Sequence, residues 1–134
     1  MSIALDAGER VREACRLVDA DRLVTLTYRG QRMKEGDITR DWDLFRRRAG
    51  WVSPVGYVHL IGSSERAGAV VMVAVHGRQN YRLLRLAWAD VVGTGNGSVH
   101  VRNPVGGVLE RAGWRERLAD HMADCAVRGF DGAL

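Results

Sequence analysis

The amino-acid sequence contains little cysteine, little proline and almost no lysine, and it has no long hydrophobic run. Its 134 residues include only two prolines, and 27% of them are charged, a composition typical of a globular domain rather than a disordered or collagen-like chain. The longest apolar run, Ala69 to Val75, has the length of a strand and falls far short of the ~18 residues that a membrane span needs. We therefore predict a single domain over residues 1–134 and no membrane partner.

Signals for secretion are also missing. The segment Met1 to Leu5 lacks the basic and long apolar stretches of a signal peptide, so we expect a cytoplasmic protein. Cys15 and Cys125 are the only cysteines, and each falls on the apolar side of a predicted helix. Two interpretations are open: one disulfide in a secreted protein, or reduced, buried and inert thiols. The lack of a secretion signal favours the thiols.

The net charge is mildly positive and comes from arginine. The 20 basic and 16 acidic residues give a net charge of +4 and a pI near 9.7, and Lys34 is the only lysine. A surplus this small agrees with the codon bias of a GC-rich genome, that of a bacterium or its phage. Because the planar guanidinium suits phosphate and carboxylate, the composition permits a nucleic-acid partner without requiring one.

Helices are predicted at both ends of the chain. In the first, apolar residues recur with helical spacing behind a predicted N-cap at Asp6: Val11, Ala14, Cys15 and Val18. A short helix is predicted for Val105 to Ala112. A last helix, ending at Gly129, follows it with the apolar residues Trp114, Leu118, Met122 and Cys125.

Five segments have the pattern of strands. Leu23 to Tyr28 alternates apolar and threonine side chains, and four segments follow Pro54 with short turns between them: Tyr57–Ile61, Ala69–His76, Tyr81–Val92 and Ser98–Arg102. Short connections indicate an antiparallel meander, in which Val70 to Val75, apolar on both faces, is central. The predicted class is α+β: a mostly antiparallel sheet of about five strands, packed on one face by the N- and C-terminal helices. A small barrel with these helices outside is the alternative.

The stretch from Arg32 to Gly50 is the most polar in the chain, and a helix is predicted in it after Thr39, with Gly50 as its left-handed C-terminal residue. Trp42, Phe45 and Ala49 share one face of that helix. Beside it lie the candidate nucleic-acid-binding residues Arg40, Arg46, Arg47, Arg48 and Trp51. Arginines bind phosphates and exposed aromatic rings stack on bases. The alternative is that the aromatic residues belong to the core and the arginines to a hydrated surface.

No catalytic, metal-binding or cofactor motif is visible in the sequence. His59, His76 and His100 fall in three different predicted strands, and His121 precedes Cys125 by four residues, which is half of a metal site. An acidic cluster interleaved with arginines is typical of a hydrated surface: Asp37, Asp41 and Asp43. We therefore assign no catalytic residue, no metal and no cofactor, and keep enzyme activity as an alternative.

Four segments within residues 23–92 follow one another with a recognisable pattern: Leu26–Arg29, Val52–Gly56, Val70–Val75 and Tyr81–Trp88. Their order and composition resemble WYL domains, which are small SH3-like β-barrels of bacterial regulators. The resemblance implies a barrel fold and a regulatory role. The name-giving Trp-Tyr-Leu is replaced by Val70-Val71-Met72, and the family's Asp-Arg by Ala87-Trp88, so the family's ligand site is not expected here.

These observations predict a small non-enzymatic binding or regulatory module that contacts nucleic acid through the segment Thr39 to Trp51. A protein-interaction module, an inhibitor or an adaptor, is the first alternative. A small enzyme without a recognisable motif is the second. Nucleic acid and protein both stay open as partners, and the oligomeric state is not predicted.

Overall fold

The computed structural model describes residues 3–29, 35–51, 56–65 and 68–130. These residues form four helices and four strands. The helices are α1 (Ile3–Leu17), α2 (Glu35–Arg48), α3 (Tyr81–Val92) and α4 (Val108–Arg128). The strands are β1 (Arg22–Tyr28), β2 (Tyr57–Ser64), β3 (Gly68–Val75) and β4 (Gly97–Arg102). None of the described helices is long and apolar enough to cross a membrane.

The four strands form one open antiparallel sheet in the order β2-β3-β1-β4. Val24 of β1 lies opposite Val73 of β3, and Leu26 of β1 lies opposite Val99 of β4. The central strands are therefore β1 and β3, and the edges are β2 and β4. The α+β class and the antiparallel sheet are confirmed. The sheet has four strands instead of about five, and it is not closed into a barrel.

Helices cover both faces of this sheet because β3 is apolar on both sides. Val71 and Val73 face α2 and α3 in one buried cluster, whereas Met72 faces α1 and α4 in the other. Every residue of β3 after Gly68 is buried, as a central strand between two helical layers requires. The prediction of a central strand here, with the terminal helices on one face, is confirmed.

The predicted strand Tyr81–Val92 is wrong: this segment is helix α3. Asn80 caps the helix, since its side-chain oxygen accepts a hydrogen bond from the Leu83 N–H at 3.1 Å. Leu84, Ala87 and Trp88 then recur with helical spacing and are buried against the sheet. The predicted meander is wrong for the same reason, because β4 follows a helical crossover and pairs with β1.

Three predicted helix boundaries are also wrong. Helix α1 begins at Ile3, so Asp6 lies inside it and is not its N-cap. Helix α2 begins at Glu35, before Thr39. Residues 108–128 form the single helix α4, with no separate helix before Trp114.

Two glycines predicted to end helices are confirmed at those positions. Gly50 has a φ of +81° just after α2, and Gly129 has a φ of +82° just after α4. The Gly129 N–H donates to the Cys125 carbonyl at 2.9 Å, and Phe130 then packs into the core. Positive φ favours glycine because a side chain would collide with the backbone.

Cys15 and Cys125 are free and buried, on the apolar sides of α1 and α4. Burial disfavours the charged thiolate, which raises the pKa of each thiol to about 11. The interpretation as buried thiols rather than a disulfide therefore agrees with the structure.

Candidate functional site

The arginines of the predicted nucleic-acid site lie together on α2, and each has a carboxylate partner. Asp43 binds both Arg46, at 2.5 Å, and Arg47, at 3.0 Å. Arg48 donates to a carboxylate of α3, that of Asp90. Arg40 lies 3.7 Å from Asp41 and 3.9 Å from Asp37. The positive charge at the end of α2 is therefore largely balanced within the molecule.

The aromatic residues of this segment belong to the core. Trp42 and Phe45 are buried, and the half-buried Trp51 ring packs with its centroid 5.5 Å from that of Phe45. The His59 ring of β2 stacks on Trp42 at 4.7 Å. These contacts anchor α2 to the sheet. Trp51 is thus held among other rings rather than presented alone for stacking on a base.

One carboxylate of the predicted acidic cluster is buried. Asp41 accepts a hydrogen bond from the Tyr28 hydroxyl at 2.7 Å, and both residues are buried between α2 and β1. Burial, and then the bond to the Asp41 carboxylate, raises the pKa of Tyr28. Asp37 and Asp43 form ion pairs with arginine, as a mixed-charge surface predicts.

The four histidines do not share a site. His76 contacts the Asp19 carbonyl oxygen at 2.7 Å, and His100 is exposed on β4. The His121 Nε2 lies 3.9 Å from the Cys125 sulfur. Burial lowers the pKa of His121, with a smaller contribution from Arg102. Among the described residues, no group of three potential metal ligands comes together.

A second group of arginines differs from those of α2. Arg78, Arg82, Arg85 and Arg102 have no carboxylate partner within the described parts of the chain. The first turn of α3 contains no acidic residue, and its single acidic residue, Asp90, accepts from Arg48. Arg82 and Arg85 are exposed on α3 and line the space between this helix and β4. Positive charge is therefore uncompensated around α3 and β4.

A groove of about 800 Å³ lies between α3 and β4, which we call the α3–β4 groove. Its walls include Tyr81, Arg82, Arg85, Leu86, Val99 and His100. The guanidinium of Arg85 lies 5.6 Å from the centre of the Tyr81 ring, a cation–π contact that leaves its N–H groups free of carboxylates.

The end of the groove is shaped by a close approach at Gly97. The Trp88 indole N–H donates to the Thr27 carbonyl at 3.0 Å across this residue. A Cβ at position 97 would lie 2.5 Å from the indole nitrogen and 2.7 Å from that carbonyl oxygen. Only glycine fits there, so Trp88 seats α3 directly on the start of β4.

The outer edge of β4 opens into the α3–β4 groove. The Val99 carbonyl accepts a hydrogen bond from the Tyr81 hydroxyl at 3.1 Å, so it points away from β1. Backbone groups of a strand point alternately to either side, so the N–H and C=O of Val101 also point away from β1. The Val101 groups have no partner among the described residues.

Sequence reasoning missed this groove because it placed Tyr81–Val92 in a strand. In a strand Arg82 and Arg85 would lie on opposite faces, whereas in a helix residues three apart share a face. The available signal was Asn80 in a capping position, followed by Arg82 and Arg85 three residues apart.

The fold and the groove define a small α+β protein with a four-stranded antiparallel sheet between two helical layers. The chain has no significant match among protein-family models, curated proteins or solved structures. The resemblance of residues 23–92 to WYL domains therefore stays a prediction. Of the segments on which it depends, Tyr81–Trp88 is helical here and Val52–Val55 lies outside the described residues.

Proposed function

We propose that this protein is a non-enzymatic interaction module that binds an acidic segment of another protein in the α3–β4 groove. The observation that carries the proposal is the coincidence of unpaired arginines and an open strand edge in one groove. Both features favour a partner: the arginines offer hydrogen-bond donors to carboxylates, and the edge offers backbone groups to an extended chain.

The apolar side chains around the groove support a protein partner over a purely ionic one. Leu86 is 61% exposed and Tyr81 is 47% exposed on α3, and both line the groove. Arginine and tyrosine are enriched at protein interfaces because each combines an apolar body with a polar end. A partner that combines carboxylates with apolar residues would satisfy both kinds of surface.

A nucleic acid is the second candidate partner, favoured by one specific observation. Arg82 and Arg85 share one side of α3, and Arg78 lies just before this helix, and none of the three has a carboxylate partner in the described residues. The α2 site of Arg46, Arg47 and Arg48 remains a prediction, but its arginines would first have to leave Asp43 and Asp90. The arginines of α3 could bind phosphate without first breaking an ion pair.

The main test is a binding titration with a labelled decapeptide of alternating valine and glutamate, followed by fluorescence anisotropy. We expect binding that disappears when lysine replaces the glutamates. The variant Arg82→Ala/Arg85→Ala should weaken binding about three- to tenfold, because exposed ion pairs each contribute little. The matched variant Arg10→Ala/Arg117→Ala removes the same charge from the α1–α4 layer and should change the Kd by less than about twofold.

The alternatives give different outcomes in the same assay. If the valine–glutamate peptide does not bind, or both double variants weaken it equally, the proposed function is wrong. A labelled single-stranded or duplex DNA at about 50 and 200 mM salt tests the second candidate, since phosphate contacts make affinity fall steeply with salt. Selective loss in Arg78→Ala/Arg82→Ala/Arg85→Ala would assign DNA binding to α3, and selective loss in Arg46→Ala/Arg47→Ala/Arg48→Ala would assign it to α2.

A further inference from the structure

We infer that the partner binds as an extended segment that adds a fifth strand to the sheet, paired with β4. This inference rests on the proposed function and specifies its geometry: the acidic segment pairs through its backbone with the outer edge of β4. The α3–β4 groove then serves as the space in which one face of the added strand packs.

The backbone of β4 is prepared for such pairing. Val101 presents both its N–H and its C=O outward, and Val99 presents the same two groups two residues earlier. In the described parts of the chain only the Val99 carbonyl has a partner, the Tyr81 hydroxyl at 3.1 Å. An added strand therefore finds a pair of unoccupied groups at Val101 and displaces one side-chain bond at Val99.

The charges beside β4 determine the chemistry of the added strand. Side chains of an added strand alternate between the two faces of the sheet. On the face of Val99 and Val101 they meet Arg82 and Arg85 of α3, and on the other face they lie beside Arg102 of β4. Carboxylates are favoured on the face that meets Arg82 and Arg85, because neighbouring opposite charges are stabilising and like charges are not. The valine–glutamate peptide places all its glutamates on one face.

The same charges argue against a second copy of the chain at this edge. An antiparallel pairing of β4 with β4 of another molecule would bring together two basic edges, each carrying Arg102 with Arg82 and Arg85 nearby. Like charges directly opposite each other destabilise a strand pair. The occupant that fits is therefore a different, acidic chain.

Strand addition is tested with two peptides of equal charge. The first is the alternating valine–glutamate decapeptide. In the second, the backbone nitrogens of two central glutamates are methylated, which removes two donors that would face β4 and keeps every carboxylate. The N-methylated peptide should bind at least about tenfold more weakly. By heteronuclear NMR of the full chain, the first peptide should slow amide exchange at Val101 about tenfold or more. Exchange at His100, whose amide already points to β1, should stay unchanged.

The outcomes separate this inference from the proposed function. If both peptides bind equally and both depend on Arg82 and Arg85, the groove binds acidic chains but not by strand addition, and the inference is wrong. Unchanged amide exchange at Val101 in a saturated complex would also show that the inference is wrong. If neither peptide binds, the proposed function fails as well.

Discussion

Two arginine-rich helices lie side by side on the same face of the sheet, and they differ in where their charges go. The three consecutive arginines that end α2 bind Asp43 and Asp90. The two arginines of α3, Arg82 and Arg85, have no carboxylate partner in the described residues. A local density of positive charge therefore does not identify a binding surface. The useful quantity is the charge that remains after the ion pairs within the molecule are counted.

This difference has a simple origin in the sequence. Helix α2 carries Asp43 three and four residues before Arg46 and Arg47, where side chains on a helix meet. Helix α3 carries no acidic residue before Asp90, and that residue is used by Arg48. One helix thus neutralises itself and takes the single carboxylate of its neighbour, which leaves α3 basic.

The largest effect is expected from Val73→Asp in the sheet that supports both helices. Val73 is fully buried beneath the α2–α3 layer, and an unpaired carboxylate there costs several kcal/mol against a total stability of roughly 5–15 kcal/mol. We expect no soluble, cooperatively unfolding protein, measured by expression and circular dichroism. Thr94→Asp, in an exposed turn, is the control and should fold normally. A cooperative thermal transition in Val73→Asp would contradict the assigned core.

A smaller effect is expected at alkaline pH from the bond that ties α2 to β1. The folded-state pKa of Tyr28 is raised by burial and by Asp41, so the unfolded state releases the phenolic proton first. The contribution of Tyr28 to stability is therefore complete below pH ~10 and is lost as the pH rises above it, by up to about 1.4 kcal/mol per pH unit. Cys15 and Cys125, whose pKa burial also raises, add to the loss over the same range, so the slope of Tyr28 is the difference between the wild type and Tyr28→Phe in chemical denaturation between about pH 9 and 11.

The matched tyrosine of α3 provides the control for that slope. Tyr28→Phe should reduce the alkaline loss of stability and cost about 1–3 kcal/mol at neutral pH, since it leaves the buried Asp41 without this bond. Tyr81→Phe, at an exposed residue, should leave the alkaline slope in place. Equal slopes in the wild type and Tyr28→Phe would show that the Tyr28–Asp41 pair does not contribute.

The sequence alone predicted those elements in which the apolar residues fit only one periodicity. The terminal helices, the strand from Leu23 and the central strand Val70–Val75 follow from their apolar patterns. The segment from Tyr81 was ambiguous, because Leu84, Leu86 and Trp88 fit an alternating pattern while its buried residues have helical spacing. The ion pair between Arg48 and Asp90 joins residues that are distant in sequence, so no local pattern could show that α2 is neutralised and α3 is not.

The smallest expected effect tests whether Tyr81 competes with a partner for the edge of β4. Its hydroxyl donates to the Val99 carbonyl, which an added strand would use as an acceptor. Tyr81→Phe removes this competitor and keeps the ring over which Arg85 lies. Because the net contribution of one hydrogen bond is about 0.5–1 kcal/mol, we expect the valine–glutamate decapeptide to bind about two- to fivefold more tightly. The peptide N-methylated at two central glutamates, which does not complete the pairing, should show no gain. A weaker complex with the alternating peptide would mean that the hydroxyl itself contacts the partner, and that Val99 does not accept a bond from the added strand.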